Sequence, residues 1–368
     1  MSKQLFSSMK LGRLDLPNRI IMAPMNRARC DAGRAPTDMV GEYYSQRASA
    51  GLLITEASSV SRLSQSRPNA SAIYQDNQVE AWGRVAETVH AAGGRIFQQI
   101  YHLGRKSDPS RMPDGLLPLA PSAIAAKGEV AGLNGPVDFA VPRALETDEI
   151  PDVVEEFRLA ARGAGKAGMD GIEIHGANAY LVDQFLKDKS NRRVDGYGGD
   201  VAARVRFLME VTQAAIDELG ADRVGVRISP HLSVDGIGDS DVAATFTHVA
   251  GALGSLGIAY LHLVEAVVPG TPQAPTVGSE PLLPAIRTAF RGAIIVNGGY
   301  DQAKAEAVVE AGLADAVAFA RLYISNPDLV DRFRLDAPLA EADAATTHGG
   351  GAKGYIDYPV LQPAAAGE

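Results

Sequence analysis

Cysteine is almost missing from this chain: Cys30 is the only one in 368 residues. A disulfide within the chain is excluded, and so is a zinc or iron–sulfur centre built from its own cysteines alone. Long apolar runs are missing too, and none approaches the ~20 residues of a membrane-spanning helix. Residues 1–10 lack the apolar core of a secretory signal. Positive charge is in deficit: 35 Lys and Arg stand against 44 Asp and Glu, a net charge of -9. That balance argues against a surface for nucleic acid or another polyanion. The expectation is a cytoplasmic protein with neither a nucleic-acid nor a membrane partner.

Composition is otherwise that of a folded globular protein, with 46% hydrophobic and 21% charged residues. Residues 10–18 read as a small hairpin with Gly12 near its turn, placed to plug the bottom of a barrel. Short apolar runs follow at 19–24, 52–55, 95–100, 171–175, 223–228, 259–263, 293–297 and 316–319. Between them lie segments of helical spacing at 38–50, 79–92, 147–167, 201–219, 241–256, 280–290 and 301–311, with a short helical turn at 181–186. A last helix starts near Pro327. Residues 106–147 form a long excursion rich in proline and glycine, of the kind that serves as a lid or substrate-facing loop and can hide a hairpin.

Eight strands alternating with helices are the pattern of a parallel (β/α)8 TIM barrel. An open doubly wound sheet is the alternative. It loses ground because Pro24-Met25-Asn26-Arg27 stands where a dinucleotide-binding sheet needs Gly-x-Gly-x-x-Gly. No composition shift divides the chain, so one domain over 1–368 is expected. Its core is about 18–335, and the Ala- and Gly-rich segment 336–368 is expected to be partly mobile.

In such a barrel all strand C-termini share one mouth. The fourth run ends in His175, Asn178 and Tyr180. Two donors beside a phenol suit a reaction in which negative charge develops on a carbonyl oxygen and a carbon is then protonated. The plainer reading is a satisfied loop and helix start. Asn297-Gly298-Gly299 and Ala320-Arg321 follow the last two strands, the common phosphate position of these barrels. Asn26, Gln99 and Arg227 supply amides and one cation, suited to a flat heterocycle with carbonyl and ring-nitrogen edges. Phosphate tail and polar-edged ring together describe flavin mononucleotide. A flavin-free lyase or isomerase acting on a phosphorylated substrate, and a non-catalytic flavin redox sensor, remain open on spacing alone.

Several stretches carry a family resemblance. They are Asn-Arg-Ile-Ile-Met-Ala-Pro-Met at 18–25, Gln99 with Tyr-His-Leu-Gly-Arg at 101–105, and His-Gly-Ala-Asn-Ala-Tyr-Leu at 175–181. Ser-Asn-Arg-Arg-Val-Asp-Gly-Tyr-Gly-Gly at 190–199, Arg-Ile-Ser-Pro at 227–230, Asn-Gly-Gly at 297–299, Ser-Asn-Pro-Asp-Leu at 325–329 and Gly-Tyr-Ile-Asp-Tyr-Pro at 354–359 continue it. In this order the chain resembles the Old Yellow Enzyme family of ene-reductases over nearly its full length.

The resemblance implies noncovalent FMN at the barrel mouth, reduced by NADPH or NADH. Pro24, Met25 and Asn26 would line the ring; Ala57, Gln99 and Arg227 would meet its polar edge; Asn297, Gly298, Gly299, Ala320 and Arg321 would hold the phosphate. His175 and Asn178 would grip the carbonyl oxygen of an activated alkene, with Tyr101 and Tyr358 lining the substrate pocket. Flavin N5 would deliver hydride to the β-carbon and Tyr180 a proton to the α-carbon, in a ping-pong scheme. A monomer or homodimer is expected. The chain departs from the family in having Asn26 for a common Thr, Tyr101 for a common Trp, and Ala320 for a common Gly. The lone cysteine sets it apart from larger relatives with an iron–sulfur cluster.

Overall fold

The computed structural model describes residues 4–64, 67–132, 134–265 and 281–361. Eight parallel strands close on themselves: β1 (Ile20–Met22), β2 (Leu52–Ile54), β3 (Ile96–Tyr101), β4 (Gly171–Gly176), β5 (Val224–Ile228), β6 (Tyr260–Val264), β7 (Ala293–Asn297) and β8 (Ala316–Phe319). Each strand pairs with the next in chain order, and β8 pairs back onto β1. The expected TIM barrel is therefore present, with all eight expected strands in place.

The strands alternate sides with period two. Ile20, Leu53, Ile100, Ile172, Val226 and Ile294 face outward into the main core against the helices. Ile21, Ile54, Phe97, Tyr260 and Ile295 face inward, in a second cluster that also takes Leu11 and Leu16 of the N-terminal hairpin. That hairpin, Met9–Leu11 with Leu14–Leu16, plugs one end of the barrel as expected. Each such side chain, fully buried, contributes roughly 1.5–3 kcal/mol. Two glycines make room for two inward rings. A Cβ on Gly171 would lie 2.4 Å from Phe97, and one on Gly225 would lie 2.2 Å from Tyr260.

The helices follow the apolar spacing, with shifted ends. Val201–Leu219 matches its expected span, and Asp200 caps it by accepting from Ala203 N–H. Asp76–Ala91 starts earlier than expected, because Gln75 and Gln78 form a reciprocal cap. Arg321–Ser325 is a short helix with no sequence-level expectation. The expected 280–290 helix is observed as Leu283–Ala289, and residue 280 lies outside the described residues.

The long excursion does contain a hairpin, Glu129–Gly132 with Gly135–Asp138. A parallel pair, Leu119–Ala120 with Arg143–Ala144, closes its base. Arg193 pins it by donating to Pro121 O at 3.0 Å, and Arg105 by donating to Ile124 O at 3.2 Å.

Residues 337–351, expected to be loose, are tied down. Arg27 donates to Thr347 O and Gly354 O, and Arg29 to Thr346 O and Gly351 O. Tyr355 stacks on Tyr43 with centroids 4.1 Å apart, which anchors the segment further. Composition did not reveal these partners because they lie some 300 positions earlier in the chain. The expectation for residues 363–368 lies outside the described residues.

Candidate active site

The C-terminal end of β4 delivers His175, and the turn after it carries Asn178 and Tyr180 into the helix Leu181–Leu186. Asn178 and Ala179 both have left-handed backbone, at φ 59 and φ 63. For alanine that conformation costs about 1 kcal/mol or more, so the surroundings must enforce it. They do so through two backbone donors. Asn178 N–H donates to Ser229 Oγ at 2.9 Å, and Ala179 N–H donates to Asp183 Oδ2 at 2.9 Å. Asp183 is fully buried beside an equally buried Lys187, whose Nζ also donates to Ser229 O and Leu232 O.

The His175 tautomer follows from its neighbour. Nδ1 accepts the Ala177 N–H at 3.3 Å, so the ring proton sits on Nε2 and is free to donate. Burial, reinforced by Arg227, His262 and Lys106, holds this imidazole well below its ordinary pKa. His175 is therefore a neutral donor. It can hold an oxygen but does not arrive carrying a spare proton. Tyr180 retains its proton because burial pushes its phenol above the usual range.

Three rings form one wall. Tyr180 meets His175 edge-on at 4.9 Å and Tyr101 edge-on at 5.1 Å, and Lys106 Nζ lies 5.4 Å from the Tyr180 ring centre. His102 Nδ1 accepts Gly104 N–H at 3.0 Å, a loop-holding role.

On the flank, β3 and β5 carry Gln99 and Arg227 inward, both buried. Gln99 Nε2 donates to Glu173 Oε1 at 2.6 Å, and Arg227 Nη2 donates to Asn297 Oδ1 at 3.0 Å. Two buried atoms here have no protein partner, Arg227 Nε and Asn26 Oδ1. Leaving such atoms unpaired is expensive, so each is open to a polar partner, whether water or ligand. Pro24 and Met25 are half-buried beside Asn26, and Ala57 packs in one apolar cluster with Tyr101 and Tyr180.

Beyond β7 and β8 lies a cavity of about 1130 Å³ lined by Gly298, Gly299, Ala320 and Arg321. Gly298 and Gly299 have φ 141 and φ 74, which only glycine adopts easily, and this leaves their backbone open to close approach. Asn297 also borders the cavity, but its side chain is engaged within the protein. It accepts from Arg227 and donates to Ala318 O at 2.7 Å. The Tyr358 hydroxyl accepts the Asp343 N–H at 3.0 Å, within the C-terminal segment. Tyr355 is wholly buried in the core.

Sequence reasoning missed Glu173, Tyr260, His262, Asp183, Lys187 and Ser229. Glu173 and His262 sit inside apolar runs, and period-two alternation with their outward neighbours was the available signal.

The sequence model of the NADH:flavin oxidoreductase / NADH oxidase family matches residues 4–339. The chain is 43% identical over 366 residues to putative 12-oxophytodienoate reductase 11 of Oryza sativa subsp. japonica, covering 97% of each. It is 41% identical over 364 residues to 12-oxophytodienoate reductase 1 of the same plant, covering 97% of this chain and 93% of that one. Among solved structures, the old yellow enzyme homologue from Zymomonas mobilis superposes with a TM-score of 0.94 at 41% identity, over 97% of this chain and 100% of the other. Morphinone reductase superposes with a TM-score of 0.94 at 43% identity, over 98% and 97%. A structure of morphinone reductase in complex with tetrahydroNAD superposes with a TM-score of 0.91 at 43% identity, over 97% and 98%.

Proposed function

The chain belongs to the NADH:flavin oxidoreductase / NADH oxidase family and within it to the Old Yellow Enzymes, and from that premise we propose that its barrel mouth reduces the C=C bond of activated alkenes. It is an FMN enzyme that draws on a nicotinamide coenzyme. The residues present fit the cofactor. The unpartnered Arg227 Nε and Asn26 Oδ1 match a ring with polar edges, and the Gly298–Gly299 backbone with Arg321 matches a phosphate. Gln99 and Ala57 complete the ring site, and Pro24 and Met25 flank it. Bound FMN supplies the redox chemistry, taking hydride from NADPH or NADH and giving it to the alkene.

The side chains do the rest. His175 Nε2–H and the Asn178 amide donate to the carbonyl oxygen and hold the charge that builds there. Tyr180, kept protonated by burial, gives its proton to the α-carbon. Tyr101 and Tyr180 wall the pocket. Coenzyme and alkene use this pocket in turn. Tyr358, on the C-terminal segment that reaches Asn26 through His348, is the further wall residue in this reading.

The observation that carries the reading is His175, its Nδ1 taken by the Ala177 N–H and its ring packed edge-on against Tyr180 at 4.9 Å. The match to the NADH:flavin oxidoreductase / NADH oxidase family over residues 4–339 counts against a flavin-free lyase. Among the described residues no helix is long and apolar enough to cross a membrane, and we place the enzyme in the cytoplasm as a monomer or homodimer. The test is the visible spectrum of the purified protein, followed by steady-state kinetics with both coenzymes against enones, nitroalkenes and maleimides. A flavin spectrum and turnover are expected. A colourless protein that FMN cannot reconstitute would overturn the reading.

A further inference from the structure

The barrel mouth rests on a buried carboxylate that the steps above leave unused. Glu173 is completely buried and points inward from β4, two positions before His175. Strand register fixes its surroundings. Glu173 lies opposite Gln99 on β3 and opposite Gly225 on β5, while Arg227 lies between His175 and His262.

Three donors converge on the one carboxylate: Gln99 Nε2 at 2.6 Å, His262 Nδ1 at 2.8 Å and Tyr260 OH at 3.1 Å. Burial alone would raise the Glu173 pKa, but His262, Arg227 and Gln99 together bring it below the ordinary carboxylate value. Burial pushes His262 down more than Glu173 lifts it, so the ring donates as a neutral imidazole. The interior beneath the cofactor edge thus holds one anion, Glu173, and one cation, Arg227.

Two consequences follow for a ring bound at that edge. With Nε2 committed to Glu173, Gln99 turns its Oε1 elsewhere and can present an acceptor to a ring N–H. The buried negative charge also opposes further negative charge on the ring, in a medium where charges interact strongly.

We infer that Glu173 is a positioning residue for the cofactor edge: it fixes the Gln99 amide and offsets Arg227, so that bound FMN is harder to reduce than the arginine alone would make it. The inference rests on the FMN reading above. Its test is the midpoint potential of the FMN-loaded enzyme, measured anaerobically against a reference dye. Glu173→Gln keeps the shape and removes the charge. It is expected to shift the balance about tenfold toward the reduced form, about +30 mV for a two-electron couple.

Glu173→Asp retains the charge and is expected to stay close to the wild-type value. Should Glu173→Gln fail to hold FMN, His262→Leu decides. It removes one of the three hydrogen bonds that spread the carboxylate's charge, so the balance is expected to move toward the oxidised form. Equal shifts in Glu173→Gln and Glu173→Asp, or no shift in Glu173→Gln, would overturn the inference. In the fallback case, an unshifted or raised potential in His262→Leu would do the same. A wild-type protein that binds no FMN would instead sink the functional reading itself.

Discussion

Asn178 N–H donates to Ser229 Oγ at 2.9 Å, tying the turn that carries the oxygen clamp to the end of β5, two positions beyond Arg227. The end of β5 thus holds both Arg227 and the turn that carries Asn178. Ser229→Ala removes that tie from a turn already held in left-handed backbone. A hydrogen bond of this kind is worth about 1 kcal/mol, so kcat/KM for an enone is expected to fall roughly fivefold. FMN content should not change. Unaltered kcat/KM in steady-state assays would show that the turn keeps its shape without Ser229.

The pH profile tests the protonation state of His175. Its folded pKa lies well below 6.5, with burial the leading cause. A lowered histidine pKa means the ring is neutral above that value and charges only well into acid. kcat/KM for the alkene is therefore expected to be level as pH falls from about 8 through about 6.5, the ordinary histidine value. A fall near 6.5 that disappears in His175→Asn would contradict the neutral-donor assignment.

Gly299 tests the phosphate site. At φ 74 an alanine is strained by about 1 kcal/mol or more, and the strain falls on the backbone proposed to hold the phosphate. Gly299→Ala is expected to weaken FMN binding by roughly fivefold to tenfold. Fluorescence titration of apoprotein with FMN measures it. Wild-type affinity would place the phosphate elsewhere.

Much of the site was legible in the chain because a parallel barrel makes each strand a short apolar run ending in polar residues. His175, Asn178 and Tyr180 lie within one such run and its turn, so their grouping needed no long-range contact. The partners that hold them were not legible. Ser229 acts on a backbone donor 51 positions earlier, Asp183 caps Ala179 N–H from inside a short helix that reads as apolar, and Glu173 passes for one residue of an apolar strand until register sets it opposite Gln99. Asn297 borders the cavity after β7 and β8, and its side chain also meets Arg227, a contact between β5 and β7 that spacing cannot foretell. The docking of residues 337–351 escaped notice for the same reason, since Arg27 and Arg29 reach them from the far end of the chain.

The central claim is that Tyr180 supplies the proton to an alkene reduced at an FMN site. Anaerobic stopped-flow absorbance separates the two half-reactions: bleaching by NADPH or NADH, then recovery on adding cyclohexenone. Tyr180→Phe is expected to bleach at the wild-type rate and to recover about 10²-fold to 10⁴-fold more slowly, the usual contribution of a general acid. Recovery at the wild-type rate would contradict the account.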